Sequence, residues 1–497
     1  MISFNYMRLI FGFFILSVLP SYGQVRQKYD NSIQNLAEKM MADPVFRNAS
    51  ISFYVLDMES NEVIADLDGA RSMVPASTMK LVTTATALEE LGSYYKFKTY
   101  LEYDGTIDSA SKTLNGNIYI KGGGDPSLGS RFFSKKSNLF QQEWFDAIRE
   151  LGIDSITGAV IGDATWFKDD MIPTTWIWGD MGNYYGVGPS GLSIYDNTFF
   201  LDFTSGPNNG DLTEVSCVRP YIPELNVDNR VVSANIRNDQ AYIFGAPFDK
   251  NRIIQGRIPK NKENFEVKGA MPDPAYQAAW ELSWLLIDSG FVINSAPTTV
   301  RRLRGKGQNI KASRTRFHEH SSPSLAQIIY WTNTLSINLY AEHLLRALAK
   351  RKYKDGSNFS GTIAISKYWE AKGLNTVGLH VNDGSGLSRY NAISAEHLTG
   401  ILASMDSSKY SKSFKSSLPI AGRTGTLKNM CKGTLAEGNL RAKSGTMSRV
   451  KSYAGYVTSK SKRRLAFSVL INNHSCSALV LKKKLEKLMV TMANYSE

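Results

Sequence analysis

A chain of 497 residues is longer than one ordinary domain, and a hydrophobic content of 42% can fill its cores without disulfides. Three scattered cysteines, Cys217, Cys431 and Cys476, exclude a disulfide framework and a thiolate metal site, and they read as free buried thiols. The net charge of +13 invites nucleic acid, but no module for it is present; an anionic envelope or a substrate with free carboxylates suits the charge better.

Residues 1–23 read as a cleavable signal peptide. Arg8 precedes an apolar stretch, residues 9–19, that is too short to span a bilayer, and Ser21 and Gly23 are small residues at the third and first positions before a cut. The mature chain should start near Gln24. It then carries +12, because Arg8 is the one charge removed from +13. No cysteine follows the apolar core to accept a lipid, which predicts a soluble product of the periplasm or cell envelope. Residues 51–57 and 62–66, joined at Glu59-Ser60-Asn61, predict a hairpin.

Val74-Pro75-Ala76-Ser77-Thr78-Met79-Lys80 opens a helix through residue 91, closed by Gly92. Residues three apart on a helix share a face, so Ser77 Oγ and Lys80 Nζ can meet one turn apart. A serine hydroxyl needs an adjacent base. Lysine can be that base only if desolvation or a second cation depresses its pKa, so a second lysine is expected. The same spacing at Ser93/Lys96, Ser109/Lys112, Ser448/Lys451 and Ser459/Lys462 lacks the preceding proline and the long helix.

Residues 96–321 are strand-rich, as at 117–120, 159–161 and 199–203, with frequent glycine punctuation. The six histidines lack zinc-site spacing, and His318 and His320 read as members of a solvated loop. Ser336-Ile337-Asn338 lies between two helical runs, where a junction would present a hydroxyl and an amide together; Ser233-Ala234-Asn235 repeats the triplet. Lys443-Ser444-Gly445-Thr446 precedes two strands, 452–457 and 465–471, and its glycine permits close approach of another backbone. Arg423-Thr424-Gly425-Thr426 is a look-alike. The basic stretch 482–489 reads as the solvated face of a C-terminal helix packed on a sheet, the alternative being a weak membrane-surface contact. The fold class is α+β: an antiparallel sheet with a helical region, split between residues 24–95 and 322–497, around an insert at 96–321.

The ordered set of Ser77-x-x-Lys80, Ser336-x-Asn338 and Lys443-Ser444-Gly445 resembles the penicillin-recognising serine enzymes. The long gap before Ser336 resembles the insertion of the low-molecular-mass class C penicillin-binding proteins, the D-alanyl-D-alanine carboxypeptidase/endopeptidase family (peptidase family S13). Similar to that family too are Gly122-Gly123-Gly124-Asp125-Pro126-Ser127-Leu128, Gly162-Asp163-Ala164-Thr165-Trp166-Phe167, Trp176-Ile177-Trp178-Gly179-Asp180-Met181 and Asn382-Asp383-Gly384-Ser385-Gly386-Leu387-Ser388-Arg389. Ile337 and Ser444 depart from the commoner polar residue and threonine without removing a hydroxyl or amine that the chemistry needs.

The resemblance implies a smaller domain nested in the insert, at about 124–189. It implies acyl transfer through a Ser77 ester, with Lys80 as base, Ser336 and Lys443 as proton relay, Asn338 as orienting amide, and Ser444, Gly445 and Thr446 as the substrate-binding strand, where Ser444 and Thr446 hold the terminal carboxylate aided by the charge of Lys443. The substrates implied are peptidoglycan stem peptides and cross-links, with β-lactams as covalent inhibitors and no metal or organic cofactor. Asp163 or Asp180 is the candidate to receive a substrate ammonium group. An inactive peptidoglycan-binding protein and an esterase or β-lactamase on the same scaffold remain as alternatives.

Overall fold

The computed structural model describes residues 31–134, 136, 138–308, 310–311 and 313–496. The signal-peptide stretch and the mature start at Gln24 lie outside the described residues. Ser50–Asp57 and Val63–Leu67 form the expected hairpin, and Arg441–Met447, Val450–Thr458 and Arg464–Asn472 form a meander. These strands join in one antiparallel five-stranded sheet, in the order 441–447, 450–458, 464–472, 50–57, 63–67. Ser50–Asp57 pairs along its whole length with Arg464–Asn472, so the sheet ties the two ends of the chain together.

The apolar run in Arg464–Asn472 is continuous because both its faces are covered. Phe467, Val469 and Ile471 enter one core with Phe53 and Val55, while Ala466 and Leu470 enter another. The first core is closed by helix Ala478–Asn494, whose Leu481, Leu485, Leu488, Met489 and Met492 lie on one stripe. That stripe faces the sheet; Lys483 is exposed and Lys484 pairs with Asp43. Among the described residues no helix is long and apolar enough to cross a membrane.

The other core surrounds helix Met79–Leu91. Its residues Met79 to Leu88 are all buried, so apart from Lys80 the sequence is apolar or threonine on every side. The Thr84 and Thr86 hydroxyls donate back to the carbonyls of Lys80 and Val82, which satisfies them without water. Helices Leu325–Thr334, Asn338–Tyr353 and Ala395–Asp406 pack around it.

The insert leaves and returns at one place. Its strands Lys98–Tyr103 and Thr315–Ser321 pair antiparallel, and Phe97 and Ser322 exchange hydrogen bonds of 3.0 and 2.9 Å. These strands share a five-stranded sheet with Ile118–Lys121, Val160–Asp163 and Thr298–Thr299. Val160–Asp163, which falls within the stretch 124–189, pairs with Ile118–Lys121 of the larger sheet. Two three-stranded sheets lie further on, between Thr198 and Ala270.

His318 and His320 sit on a paired strand instead of a solvated loop. Both bond Glu143, at 2.8 Å each, and the ladder with Lys98–Tyr103 overrides the polarity of the segment. Cys217 is exposed, against the reading of three buried thiols, because the strand Glu214–Arg219 lies at a sheet edge; Cys431 is buried.

If the C-terminal helix is a packed element, Leu485→Ala should lower stability by about 2–5 kcal/mol in denaturant unfolding, whereas Lys483→Ala should stay within about 0.5 kcal/mol of the parent. Equal effects of the two substitutions would place the helix off the sheet.

Candidate active site

Ser77 lies in a short 3-10 turn, Ala76–Thr78, that runs directly into helix Met79–Leu91. Ala76 takes a left-handed φ of 49°, which is strained for a residue with a Cβ. The turn leaves Ser77 half-buried at the cleft and Lys80 fully buried beneath it. Lys80 Nζ donates to Ser77 Oγ at 3.0 Å, to Asn338 Oδ1 at 2.6 Å and to the Ser385 carbonyl at 2.7 Å. Burial pushes the Lys80 pKa down to about 7, against the charges of Asp383 and Glu342, which favour the ammonium form. Desolvation, and not the second cation that the sequence led us to expect, is thus the cause of the lowering. An amine poised near neutrality and bonded to a hydroxyl can accept that hydroxyl's proton.

Ser336 sits at the junction of Leu325–Thr334 and Asn338–Tyr353, with φ of 63°. Lys443, fully buried, donates to Ser336 Oγ at 2.8 Å and to the Ser444 carbonyl at 2.7 Å. Burial, followed by the charges of Lys80 and Lys451, holds the Lys443 pKa well below the usual lysine range. Asn338 opens its helix and donates through Nδ2 to the Tyr185 carbonyl of the insert at 2.7 Å.

The edge strand Arg441–Met447 closely approaches the turn that carries Ser77. A Cβ built on Gly445 would lie 2.6 Å from the Pro75 carbonyl and 3.0 Å from Ser77 N, so only glycine fits. Ser444 Oγ donates to Thr426 Oγ1 at 2.8 Å, and Thr446 Oγ1 accepts from Lys451 Nζ at 2.7 Å. Arg423-Thr424-Gly425-Thr426 is therefore more than a look-alike, since its last residue touches the lysine-serine-glycine strand. Ser233-Ala234-Asn235 contributes nothing here: Ser233 is buried in the insert strand Asn226–Ala234.

Two buried acids behind Lys80 were not assigned from sequence. Asp383 accepts from Gly386 N, Ser388 N, Asn391 Nδ2 and Trp176 Nε1 at 2.6–2.8 Å. It folds the loop Asp383-Gly384-Ser385-Gly386 so that the Ser385 carbonyl faces Lys80. Glu342 accepts from Ser385 N at 2.7 Å and from Gly384 N at 3.2 Å. Burial, and next the charge of Asp383, hold the Glu342 carboxyl above its usual range. The readable signal was an aspartate followed by small residues whose free N–H groups can close on it.

The cleft has a volume of about 920 Å³ and is lined by Ser77, Ser336, Asn338 and Thr446 from the catalytic layers and by Asp180 and Tyr185 from the insert, with Arg389 opposite. Burial raises the Asp180 pKa, while Arg389 and a hydrogen bond with Tyr185 pull it back. Asp163 does not reach this cleft. It is buried against Arg314 at 2.7 Å, and although burial alone would raise its pKa, the bonds from Thr165 and Arg314 hold it low.

Residues 33–495 match the D-Ala-D-Ala carboxypeptidase 3 (S13) family, and the chain belongs to it. Among its relatives, the D-alanyl-D-alanine carboxypeptidase of Actinomadura sp. (strain R39) is 26% identical over 472 residues, which cover 92% of this chain and 84% of the relative. The D-alanyl-D-alanine carboxypeptidase DacB of Haemophilus influenzae is 25% identical over 485 residues, covering 95% and 94%. The crystal structure of penicillin binding protein 4 (dacB) from H. influenzae matches with a TM-score of 0.77 at 23% identity, over 94% of this chain and 100% of that one. Its complex with a β-lactam matches at 0.72 and 22% identity, over 93% and 100%.

Removing the negative charge of Glu342 should lower the Lys80 pKa further, because that charge favours the ammonium. In NMR titration of labelled lysines, the signal lost in Lys80→Ala should move to lower pH in Glu342→Gln. An unmoved titration would leave Glu342 a structural role alone.

Proposed function

We propose that this protein is an exported serine D-alanyl-D-alanine carboxypeptidase and DD-endopeptidase, working through a Ser77 acyl-enzyme. The observation that carries the proposal is the buried Lys80 amine, held between Ser77 Oγ at 3.0 Å and Asn338 Oδ1 at 2.6 Å. Neutral Lys80 takes the Ser77 proton as Oγ attacks the carbonyl of a terminal D-alanyl-D-alanine bond. The oxyanion is received by the backbone N–H of Ser77 and of Thr446 or its neighbour, each donor contributing about 3 kcal/mol. The close approach of Gly445 to Ser77 N supports that pairing. Ser336, bonded to Lys443, passes a proton to the departing amine, and water resolves the ester.

Family membership and the names of the relatives support D-alanyl-D-alanine as the target. The β-lactam complex of the H. influenzae protein supports acylation of Ser77 by β-lactams. Cross-link cleavage calls for a seat for the ammonium group of a diamino acid, and Asp180 on the cleft wall suits it while the buried Asp163 does not. The site of action is the periplasm or cell envelope, from the reading of residues 1–23.

Ser77→Ala should abolish both labelling by fluorescent penicillin and release of D-alanine, with the thermal melt within a few degrees of the parent, since it removes a half-buried hydroxyl and little packing. Lys80→Ala should slow acylation by about 10² to 10⁴, the range for a general base. Retained labelling in Ser77→Ala would move the nucleophile elsewhere. A binder without catalysis would not label in the parent, and a β-lactamase would lose its label rapidly with turnover of the drug. Mass spectrometry of the protein from its native cell should give a mature start near Gln24; an intact Met1 on the working enzyme would overturn export.

A further inference from the structure

We propose that Lys451 is the cation that binds the substrate's terminal carboxylate, in an anion site completed by the hydroxyls of Thr446, Ser444 and Thr426. The inference rests on the proposed acyl-transfer reading and adds a residue to it. Lys451 belongs to one of the serine-x-x-lysine look-alikes, with Ser448, and nothing in the proton relay uses it.

The register of the edge strand separates the lysines by face. Lys443 stands opposite Ala454, Ser444 opposite Tyr453, and Thr446 opposite Lys451. Opposed residues share a face and successive residues alternate, so Ser444, Thr446, Lys451 and Tyr453 lie together on the face away from Lys443. Lys443 is fully buried with its Nζ on Ser336 Oγ and the Ser444 carbonyl. Thr446, by contrast, is exposed on the cleft wall. Lys451 Nζ reaches Thr446 Oγ1 at 2.7 Å and lies 4.9 Å from the centre of the Tyr453 ring, which holds it in place.

Lys451 also lacks an anion. Among the described residues no carboxylate pairs with it at salt-bridge distance, whereas Lys482 and Lys484 of the C-terminal helix each have one. It is half-buried, and desolvation lowers its pKa to about 8. A lysine withdrawn from water and left unpaired is less stable as ammonium, and an incoming carboxylate provides the missing partner. Ser444 and Thr426, bonded to each other at 2.8 Å, hold further hydroxyls on the same face. Because the charge of Lys451 disfavours protonation of Lys443, a carboxylate bound at Lys451 would offset that repulsion. Recognition of the substrate's end is thereby coupled electrostatically to the relay.

The test uses two thioester acyl donors that are identical except that one ends in a carboxylate and the other in a carboxamide. The ratio of their kcat/KM values, read on one preparation, does not depend on the fraction of protein that folds. The parent should favour the carboxylate. In Lys451→Met and in Lys451→Gln, which keeps a polar group on Thr446, the ratio should fall about 10- to 100-fold, the value of a charge-assisted contact. Lys451→Arg should keep the preference. Variants that retain the parental ratio would overturn the proposal, as would a Lys451→Met protein that melts like the parent yet acylates neither donor, since the lysine would then serve acylation itself. A parent that turns over thioesters but releases no D-alanine would instead overturn the substrate reading, while the ratio would still judge Lys451.

Discussion

The site depends on taking one amine out of water. Lys80 is fully buried, and each of its three partners comes from a different segment: the turn Ala76–Thr78, the helix that follows Ser336, and the loop around Asp383. A buried ammonium with fewer acceptors would be prohibitively unstable, and one with a directly bonded carboxylate would stay protonated. Neutral acceptors alone fill the three donor positions. The central sheet matters because it fixes where these segments meet, by tying Ser50–Asp57 near the nucleophile to the C-terminal strands.

The insert takes part in that burial. Tyr185 accepts from the same Asn338 amide whose oxygen receives Lys80, and Trp176 donates to the Asp383 carboxylate that shapes the Ser385 turn. A domain inserted far away in sequence thus closes two hydrogen bonds one step behind the reactive amine. The balance at Lys80 is between burial, which favours the neutral form, and two acids, which oppose it. Lys443 has cations for neighbours instead of acids, so its ammonium is still less favoured. Two lysines of the same burial are therefore set apart by the sign of the charges around them.

Local spacing made part of this legible. The Ser77–Lys80 pair could be read because one helical turn brings its members together, and the hairpins because apolar strands flank polar turns. The layout inside the insert is not legible in this way, because the strand Val160–Asp163 is placed by pairing with Ile118–Lys121 and not by its own composition. Asp163 and Asp180 look alike as glycine-flanked aspartates, and only tertiary placement gives one to Arg314 and the other to the cleft. Glu342 lies in a largely buried helix whose register against the Ser385 turn has no local signature. His318 and His320 were misread for the same reason, since a polar strand is indistinguishable from a loop until its partner is known.

Backbone strain accompanies the hydroxyls of Ser77 and Ser336. Ser336 itself, and Ala76 beside Ser77, are non-glycine residues at positive φ, a state that costs about 1–3 kcal/mol and persists only when its surroundings over-determine it. At Ala76 the surroundings are visible. The Pro75 carbonyl accepts from Thr78 Oγ1 at 2.8 Å and from Ser452 Oγ at 2.5 Å, so the turn is pinned both to its own helix and to the sheet. At Ser336 the pin is Lys443, which must be buried to reach it. Each strained backbone position thus presents a hydroxyl to a lysine, and the burial that lowers that lysine's pKa depends on the same packing.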